Sequence, residues 1–445
     1  MEELRGQRVL VLGLGISGRS AARFCAERGA RVTAADERAL DALGDLGDLP
    51  HDVEVVAGRA LPDPAGFDLV VPSPGVPSAR YKGRAARVCG DVELAWRALP
   101  PTLPIIAITG TNGKSTTTRL VEALLRGAGL RAEAAGNIGA PALGLVGRPL
   151  DAAVLEVSSF QLDTIWSFRP RVAVILNVTP DHLDRHGSFE AYTEAKARIL
   201  ANQREDDAAV LSADDAVVAA LAKRAHGRVR RFSLVPGACC EATLDAGAAL
   251  LRGGDASARI PLDGLRLQGT HNLENVLAAL LAVAALGVDP LVAQRVLPFF
   301  DGLPHRTELV RRRGGVTFVN DSKGTNVGAA LRSLESFAEP IVWIGGGKDK
   351  GLDFEPLGRV AEKRMRAAVL IGEAAAKLAE SLEGHVPVYR EPSLEAAVAR
   401  AASLAHSGDV VLLSPACASF DQFRSYEDRG ERFRAAVHAL PEGGR

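Results

Sequence analysis

Two glycine-bearing segments carry the residue types that hold phosphate. The first is Gly13-Leu14-Gly15-Ile16-Ser17-Gly18, which follows the apolar run Val9–Leu12. Its G-x-G-x-x-G spacing allows a tight turn and brings backbone amides to a diphosphate at the start of a following helix. Asp36 closes the next apolar run, where folds of this kind often place an acid on a ribose. Three readings of this loop stay open: a nicotinamide or flavin cofactor, another diphosphate compound such as a UDP-sugar, and a glycine turn that holds nothing. The second segment is Gly110-Thr111-Asn112-Gly113-Lys114-Ser115-Thr116, between the apolar run Ile105–Thr109 and a stretch rich in Leu and Ala. In such a loop the amides wrap the phosphates of a nucleoside triphosphate, and Lys114 neutralises the β and γ charges. A hydroxyl such as Ser115 can ligate magnesium. The spacing departs from G-x-x-x-x-G-K-[ST], because Ile108 stands at the first glycine position.

Other groups with chemical capacity sit near the ends of apolar runs. Glu156 ends a buried strand two residues before Ser158-Ser159, at the carboxyl edge where ligands of α/β sheets collect. It reads either as a ligand-site carboxylate or as an anion at a helix N-terminus. His182, in Asp181-His182-Leu183-Asp184, follows the strand Val172–Val178; a loop histidine by itself is usually solvated. Lys196 lies in the helical stretch Phe189–Leu200, where pattern alone makes it an exposed lysine one turn from Tyr192. Asn272 precedes a helix over Leu273–Leu286 and suits an N-cap, and Asn137 lies in the turn Ala135–Gly139.

The elements that must position these groups are short apolar strands alternating with Ala/Leu/Arg-rich helical stretches, a pattern that predicts parallel sheets built from βαβ units. The expected fold class is α/β in three domains: Rossmann-like over residues 1–100, a central phosphate-loop ATPase-type parallel sheet over 101–303, and a second Rossmann-like domain over 304–445. The proline-rich stretch Leu99–Pro104 marks the first boundary. A length of 445 residues suits about three domains. The net charge of −1 supplies no global field for nucleic acid or an anionic membrane, so neither is an expected partner. Five scattered cysteines without a C-x-x-C pair argue against a zinc ribbon or a disulfide framework and fit a reducing cytoplasm. The apolar run Val276–Val288 is too short for a bilayer and reads as a buried helix. The first residues lack the pattern of a cleaved signal.

Across all three parts the chain resembles the Mur ligases. The likeness rests on Thr109–Thr116, Leu155–Leu162, Asn177–His186, His271-Asn272 and Leu303-Pro304-His305-Arg306. Within that family, Gly13–Gly18, Ser73-Pro74-Gly75-Val76, Asn320–Asn326 and Ser414–Phe423 are most similar to the branch that adds D-glutamate. The Asp-Asn-Pro-Arg motif of the diaminopimelate-adding branch is absent.

The resemblance implies an ATP-dependent amide ligase that adds D-glutamate to UDP-N-acetylmuramoyl-L-alanine through an acyl phosphate, in peptidoglycan precursor synthesis. It implies ATP contacts from Gly110, Thr111, Asn112, Gly113, Lys114, Ser115, Thr116, Asn272, Arg306 and Asp321. It assigns the UDP-precursor to Gly15, Ser17, Asp36, Arg38, Gly75, Asn137 and His182, and D-glutamate to Lys323, Thr325, Ser419, Phe420, Tyr426 and a lysine of the 345–351 glycine run. Counting back from Asp353-Phe354 favours Lys350 over Lys348 for that lysine. Two magnesium ions are implied on Ser115, Glu156, His182 and Lys196, the last as a lysine carbamylated by carbon dioxide; Lys114, Glu156, His182 and Lys196 form the implied catalytic set. Asp181, Asp184 and His186 are the alternatives to Lys196. A monomer is expected. The competing readings are another Mur-type amino-acid ligase, a dinucleotide-dependent oxidoreductase, and a non-catalytic nucleotide-binding protein.

Overall fold

Among the described residues nineteen strands form three sheets, and the strands nearest the phosphate loops are mostly apolar. The computed structural model describes residues 4–253, 256–349, 351 and 353–441. The chain folds as two compact units, one of residues 1–263 and 274–296, the other of 264–273 and 297–445.

The first unit holds two sheets. Strands β1 (Arg8–Leu12), β2 (Arg31–Asp36), β3 (Glu54–Ala57) and β4 (Leu69–Pro72) make a parallel sheet in the order β3-β2-β1-β4. The chain reverses its direction of travel between β1 and β4, so the loops after these strands open a crevice at the carboxyl edge. Both loops are glycine-bearing. A side chain on Gly18 would run into the Gly13 carbonyl, so the helix Ile16–Ala26 can approach its own loop only with glycine there.

The second sheet has nine strands in the order β13-β12-β11-β10-β9-β8-β5-β7-β6. Here β5 is Ile105–Thr109, β6 Ala132–Gly136, β7 Ala152–Glu156, β8 Val172–Ile175 and β9 Ala208–Ser212. β5, β7 and β8 are buried at every residue, as expected for parallel strands covered on both faces. β5 lies between β7 and β8, a second switch point, and Glu156 ends the strand beside it. The remaining strands are β10 (Arg228–Ser233), β11 (Ala242–Asp245), β12 (Ala248–Gly253) and β13 (Ala256–Pro261). Contrary to the wholly parallel expectation, β11, β12 and β13 run as an antiparallel meander. Its first turn is Ala246-Gly247, both with positive φ (42° and 76°), the geometry of a tight hairpin that usually carries Asn-Gly. One hydrophobic cluster runs from Leu4 to Leu221 through both sheets.

The second unit holds β14 (Glu308–Arg313), β15 (Val316–Asn320), β16 (Ile341–Gly346), β17 (Met365–Ile371), β18 (Val388–Arg390) and β19 (Val410–Leu413), in the order β14-β15-β19-β16-β17-β18. Among the described strands of this sheet only β14 is antiparallel; its charged Glu-Leu-Val-Arg-Arg-Arg suits an edge. The apolar run read as a buried helix is one: Thr270–Ala285 forms it, with Val276–Val283 buried. The helix starts three residues before the predicted Leu273. Asn272 therefore lies inside the first turn rather than capping it, and its amide donates to the Gln268 carbonyl at 2.7 Å.

Candidate active site

The loop after β5 is braced from the strand beside it. Asn177 accepts from the Asn112 amide at 2.9 Å and donates to its carbonyl at 3.2 Å, while the Thr111 hydroxyl accepts from the Thr179 amide at 3.0 Å. Gly113 has φ 82°, and a side chain there would meet Asn275 Oδ1, which accepts from Thr117 at 3.2 Å. Asn275 escaped sequence reasoning; its only signal is a second asparagine three residues after Asn272. The helix Lys114–Gly127 begins directly after this loop, so its first amides face the space where phosphate oxygens would sit. Ser115 and Thr116 are buried in its first turn.

Lys196 is not the exposed lysine that helical pattern predicts. It is 1% exposed, and its ammonium donates to the Gly110 carbonyl at 2.7 Å. Lys114 donates to the same carbonyl at 2.9 Å and to that of Thr111 at 2.8 Å. Burial and then the neighbouring Lys114 push the Lys196 pKa well below the ordinary lysine range, against the pull of Asp181 and Glu156. The Tyr192 ring lies 4.6 Å from its nitrogen. Pattern failed because alanines at 195 and 197 flank Lys196 on the buried side of a short helix and hide its direction.

Glu156 is also buried. Its Oε1 accepts from Asn137 at 2.8 Å, while Oε2 is buried without a hydrogen-bond partner. An ionised carboxylate oxygen in that condition is costly unless a cation meets it, so the site fits a divalent ion. Among the described residues no three His, Cys, Asp or Glu side chains cluster as a metal cage, so any ion here must complete its shell with other oxygens. His182 is exposed, with φ 53°, and its ring sits edge-on to Phe160 at 5.0 Å. The more interior histidine is His186, which shares a hydrogen bond with Ser159 at 3.0 Å and whose pKa is lowered chiefly by burial.

Every residue predicted for the UDP-precursor except His182 lines one cavity of about 540 Å³ at the crevice between β1 and β4. Asp36 is filled from within the protein. Its Oδ1 accepts from the Arg38 amide (2.9 Å) and Nε (3.0 Å), and its Oδ2 from the Leu14 amide (2.7 Å) and Arg38 Nη2 (2.8 Å). Arg38, first among these, holds the Asp36 pKa down at about 2. A carboxylate has about four lone-pair sites. With all of them occupied, Asp36 shapes the loop and orients Arg38 but has none left for a ribose, which removes the main support for the dinucleotide reading.

In the second unit, Arg306 sits between two buried residues with left-handed backbones, His305 (φ 63°) and Thr307 (φ 47°). Asp321 accepts from Ser333 (2.5 Å), Ser414 (2.7 Å) and the Thr307 amide (3.2 Å), and burial raises its pKa to about 6. Lys323 stands 3.8 Å over the Tyr426 ring, Thr325 follows in the same loop, and Ser419 is buried whereas Phe420 is 67% exposed. Lys350 lies outside the described residues. Sequence reasoning missed Arg429, which joins these loops. Fully buried, it donates to the Ser322 and Cys417 carbonyls at 3.0 and 3.2 Å, and burial lowers its pKa to about 10. Nothing in a helical Glu-Asp-Arg-Gly stretch marks that role.

Asp321→Asn tests the buried acid. Between about pH 4 and 6 the unfolded chain ionises this carboxyl and the folded chain does not, so wild-type stability should fall as pH rises through 6. The asparagine variant should lose that component, up to roughly 3 kcal/mol. Denaturant unfolding at pH 4, 5, 6 and 7.5 measures it; parallel pH profiles for the two proteins would refute the assignment.

Three family models match in chain order: the MurD-like N-terminal domain over residues 7–91, the Mur ligase middle domain over 108–283, and the Mur ligase glutamate ligase domain over 305–417. The chain belongs to the Mur ligase family. Its curated relatives include the UDP-N-acetylmuramoylalanine–D-glutamate ligases of Geotalea daltonii (44% identical, 99% of both chains) and Geobacter metallireducens (45% identical, 100% of both chains). Among solved structures the fold matches a MurF ligase from Thermotoga maritima in complex with ADP (TM-score 0.62, 19% identity, 98% of this chain and 96% of that one). It also matches a pseudomurein peptide ligase type C from Methanothermus fervidus (TM-score 0.61, 18% identity, 98% and 100%).

Proposed function

We propose that this chain is an ATP-dependent ligase that joins D-glutamate to the alanine carboxylate of UDP-N-acetylmuramoyl-L-alanine, releasing ADP and phosphate. The choice of substrates rests on the full-length likeness to D-glutamate ligases at 44–45% identity. The observation that carries the chemistry is the pair of lysines on the Gly110 carbonyl, one at the mouth of the phosphate loop and one buried behind it.

Making an amide from a carboxylate requires activation. The precursor lies in the β1/β4 cavity, held by Arg38, Ser17, the Gly15 and Gly75 backbones and Asn137. ATP lies on residues 110–116 with Lys114 on its terminal phosphates, so that phosphoryl transfer gives an acyl phosphate. D-Glutamate comes to Lys323, Thr325, Ser419, Phe420 and Tyr426, with Lys350 from the glycine run. Its amine attacks the acyl carbon and phosphate leaves. Arg306, Asp321 and Asn272 serve the nucleotide from the second unit.

Magnesium, when bound, supplies charge neutralisation for the phosphoryl oxygens. Glu156, Ser115, His182 and a carbamylated Lys196 would hold it, and a lysine with a depressed pKa is chemically suited to carbamylation because the neutral amine is the form that attacks carbon dioxide. We assign residues 1–100 to the precursor, 101–303 to ATP and 304–445 to D-glutamate, in a monomer working in the cytoplasm. Among the described residues no helix is long and apolar enough to cross a membrane.

The test is ATP-dependent phosphate release with each UDP-muramoyl precursor against a panel of amino acids. Release with the alanyl precursor and D-glutamate alone is the expected result. Release with another pair, or hydride transfer with a nicotinamide cofactor, would replace this reading.

A further inference from the structure

We propose that Arg185 is a positioning residue that ties the precursor cavity to the segment bearing His182. It lies in the short helix Leu183–His186, directly after His182. Its guanidinium donates through Nη1 to the Gly75 carbonyl at 3.1 Å and through Nη2 to the Val76 carbonyl at 3.0 Å. Gly75 and Val76 both line the 540 Å³ cavity and belong to the turn after β4, closed by the Val76 amide on the Ser73 carbonyl at 2.9 Å. The face of the same guanidinium lies 4.6 Å from the centre of the Phe160 ring.

Phe160 is the hub on the other side. It follows Glu156 by four residues, in the turn of helix Ser159–Leu162. The His182 ring meets it edge-on at 5.0 Å, and His186 stacks on it at 5.1 Å with ring planes 4° apart. One planar cation thus uses its edge on the cavity wall and its face on the aromatic that supports both histidines. Arginine alone among the side chains offers a rigid two-donor fork with a flat, weakly hydrated face; lysine offers a point charge and no plane. His182, Leu183 and Asp184 are exposed; the segment closes on itself through the amides of Arg185 and His186 on the His182 carbonyl, both at 3.0 Å, and reaches the Glu156 side through the His186–Ser159 bond. Arg185 adds the direct bonds from this segment to the turn after β4.

The inference rests on the cavity being the precursor site. With Arg185 removed, precursor and reacting groups should lose their common alignment, while the phosphate loop, braced by Asn177, Thr179 and Asn275, keeps its shape. Arg185→Ala is expected to raise the KM for UDP-N-acetylmuramoyl-L-alanine and lower kcat, each on the order of tenfold, with the KM for ATP unchanged. Arg185→Lys should restore little. Millimolar guanidinium or methylguanidinium should recover part of the alanine variant's activity without stimulating the parent. Phe160→Leu should reproduce the defect, and the double variant should be no worse than the more damaged single variant.

A parent enzyme that releases phosphate with the alanyl precursor and D-glutamate supports the proposed reaction, and a raised precursor KM in Arg38→Ala, which alters the cavity lining alone, supports the cavity reading separately; an unchanged KM there would sink that reading instead. With an active parent, an unchanged precursor KM in Arg185→Ala overturns the tie. So does full recovery by lysine, and so does a defect that appears only as a lowered melting temperature, with kinetic constants intact and no response to guanidinium.

Discussion

Lys114→Ala is expected to fold normally and to lose more than a hundredfold in ATP-dependent phosphate release. Removing one preorganised cation from developing phosphoryl charge typically costs about 3 kcal/mol of transition-state stabilisation. The fold should tolerate the change because the loop is braced by Asn177, Thr179 and Asn275, and Lys196 still donates to the Gly110 carbonyl. A second effect follows from the shared carbonyl. Without the Lys114 charge beside it, Lys196 should hold its proton more tightly. Steady-state phosphate release and thermal unfolding measured together check the first claim; near-normal turnover would remove the loop from the chemistry.

The second large effect belongs to Lys196. An ordinary surface lysine changes stability by less than about 0.5 kcal/mol when replaced. This one is buried against the phosphate loop, so Lys196→Ala should be folded, able to bind nucleotide, and nearly inactive. The depressed pKa keeps a larger share of neutral amine at a given pH than a normal lysine would have. Activity of the parent should therefore depend on dissolved carbon dioxide, and fall reversibly when bicarbonate is stripped from the buffer. Acetate or another short carboxylic acid should rescue the alanine variant, since it returns an anionic oxygen to the space vacated. Glutamate at this position reaches less far and should not restore full activity. Full turnover by the unrescued alanine variant would show that the buried amine serves packing alone.

Legibility of the sequence followed the strength of the physical signal. β5, β7, β8, β16 and β19 are continuous apolar runs ended by glycine or polar residues, and their positions could be read directly because burial on both faces leaves no room for polar alternation. The antiparallel meander was not legible: its Ala-Gly turn lacks the Asn-Gly signature, and Ala-Ala-Leu-Leu-Arg-Gly reads equally well as helix. β14 was hidden by three successive arginines. The glycine loops were legible because their backbones need glycine, and Gly15, Ser17, Asp36, Arg38, Gly75 and Asn137, singled out in the sequence, line one cavity. What could not be read was which side chains the protein consumes internally. The burial of Lys196, the shared bond of His186 and Ser159, and the reach of Arg429 to Ser322 depend on partners 86, 27 and 107 residues away, and Asp36 is saturated by Arg38 beside it only because Leu14, 22 residues back, fills the last site.

Glu93 bears on how this protein can be taken apart. Fully buried in the helix Asp91–Ala98, it accepts from the amides of Trp166 and Phe168, at 3.0 and 2.9 Å, and from the amide and hydroxyl of Ser167. Those groups belong to the chain that supports the nine-stranded sheet, so the four-stranded sheet is fastened across the proline-rich stretch that the sequence marks as a linker. Limited proteolysis should pass over residues 99–104. A fragment cut there would strip a buried carboxylate of all these donors, which makes exchange of the first hundred residues between relatives a graft that succeeds only when the Trp166–Phe168 segment travels with them.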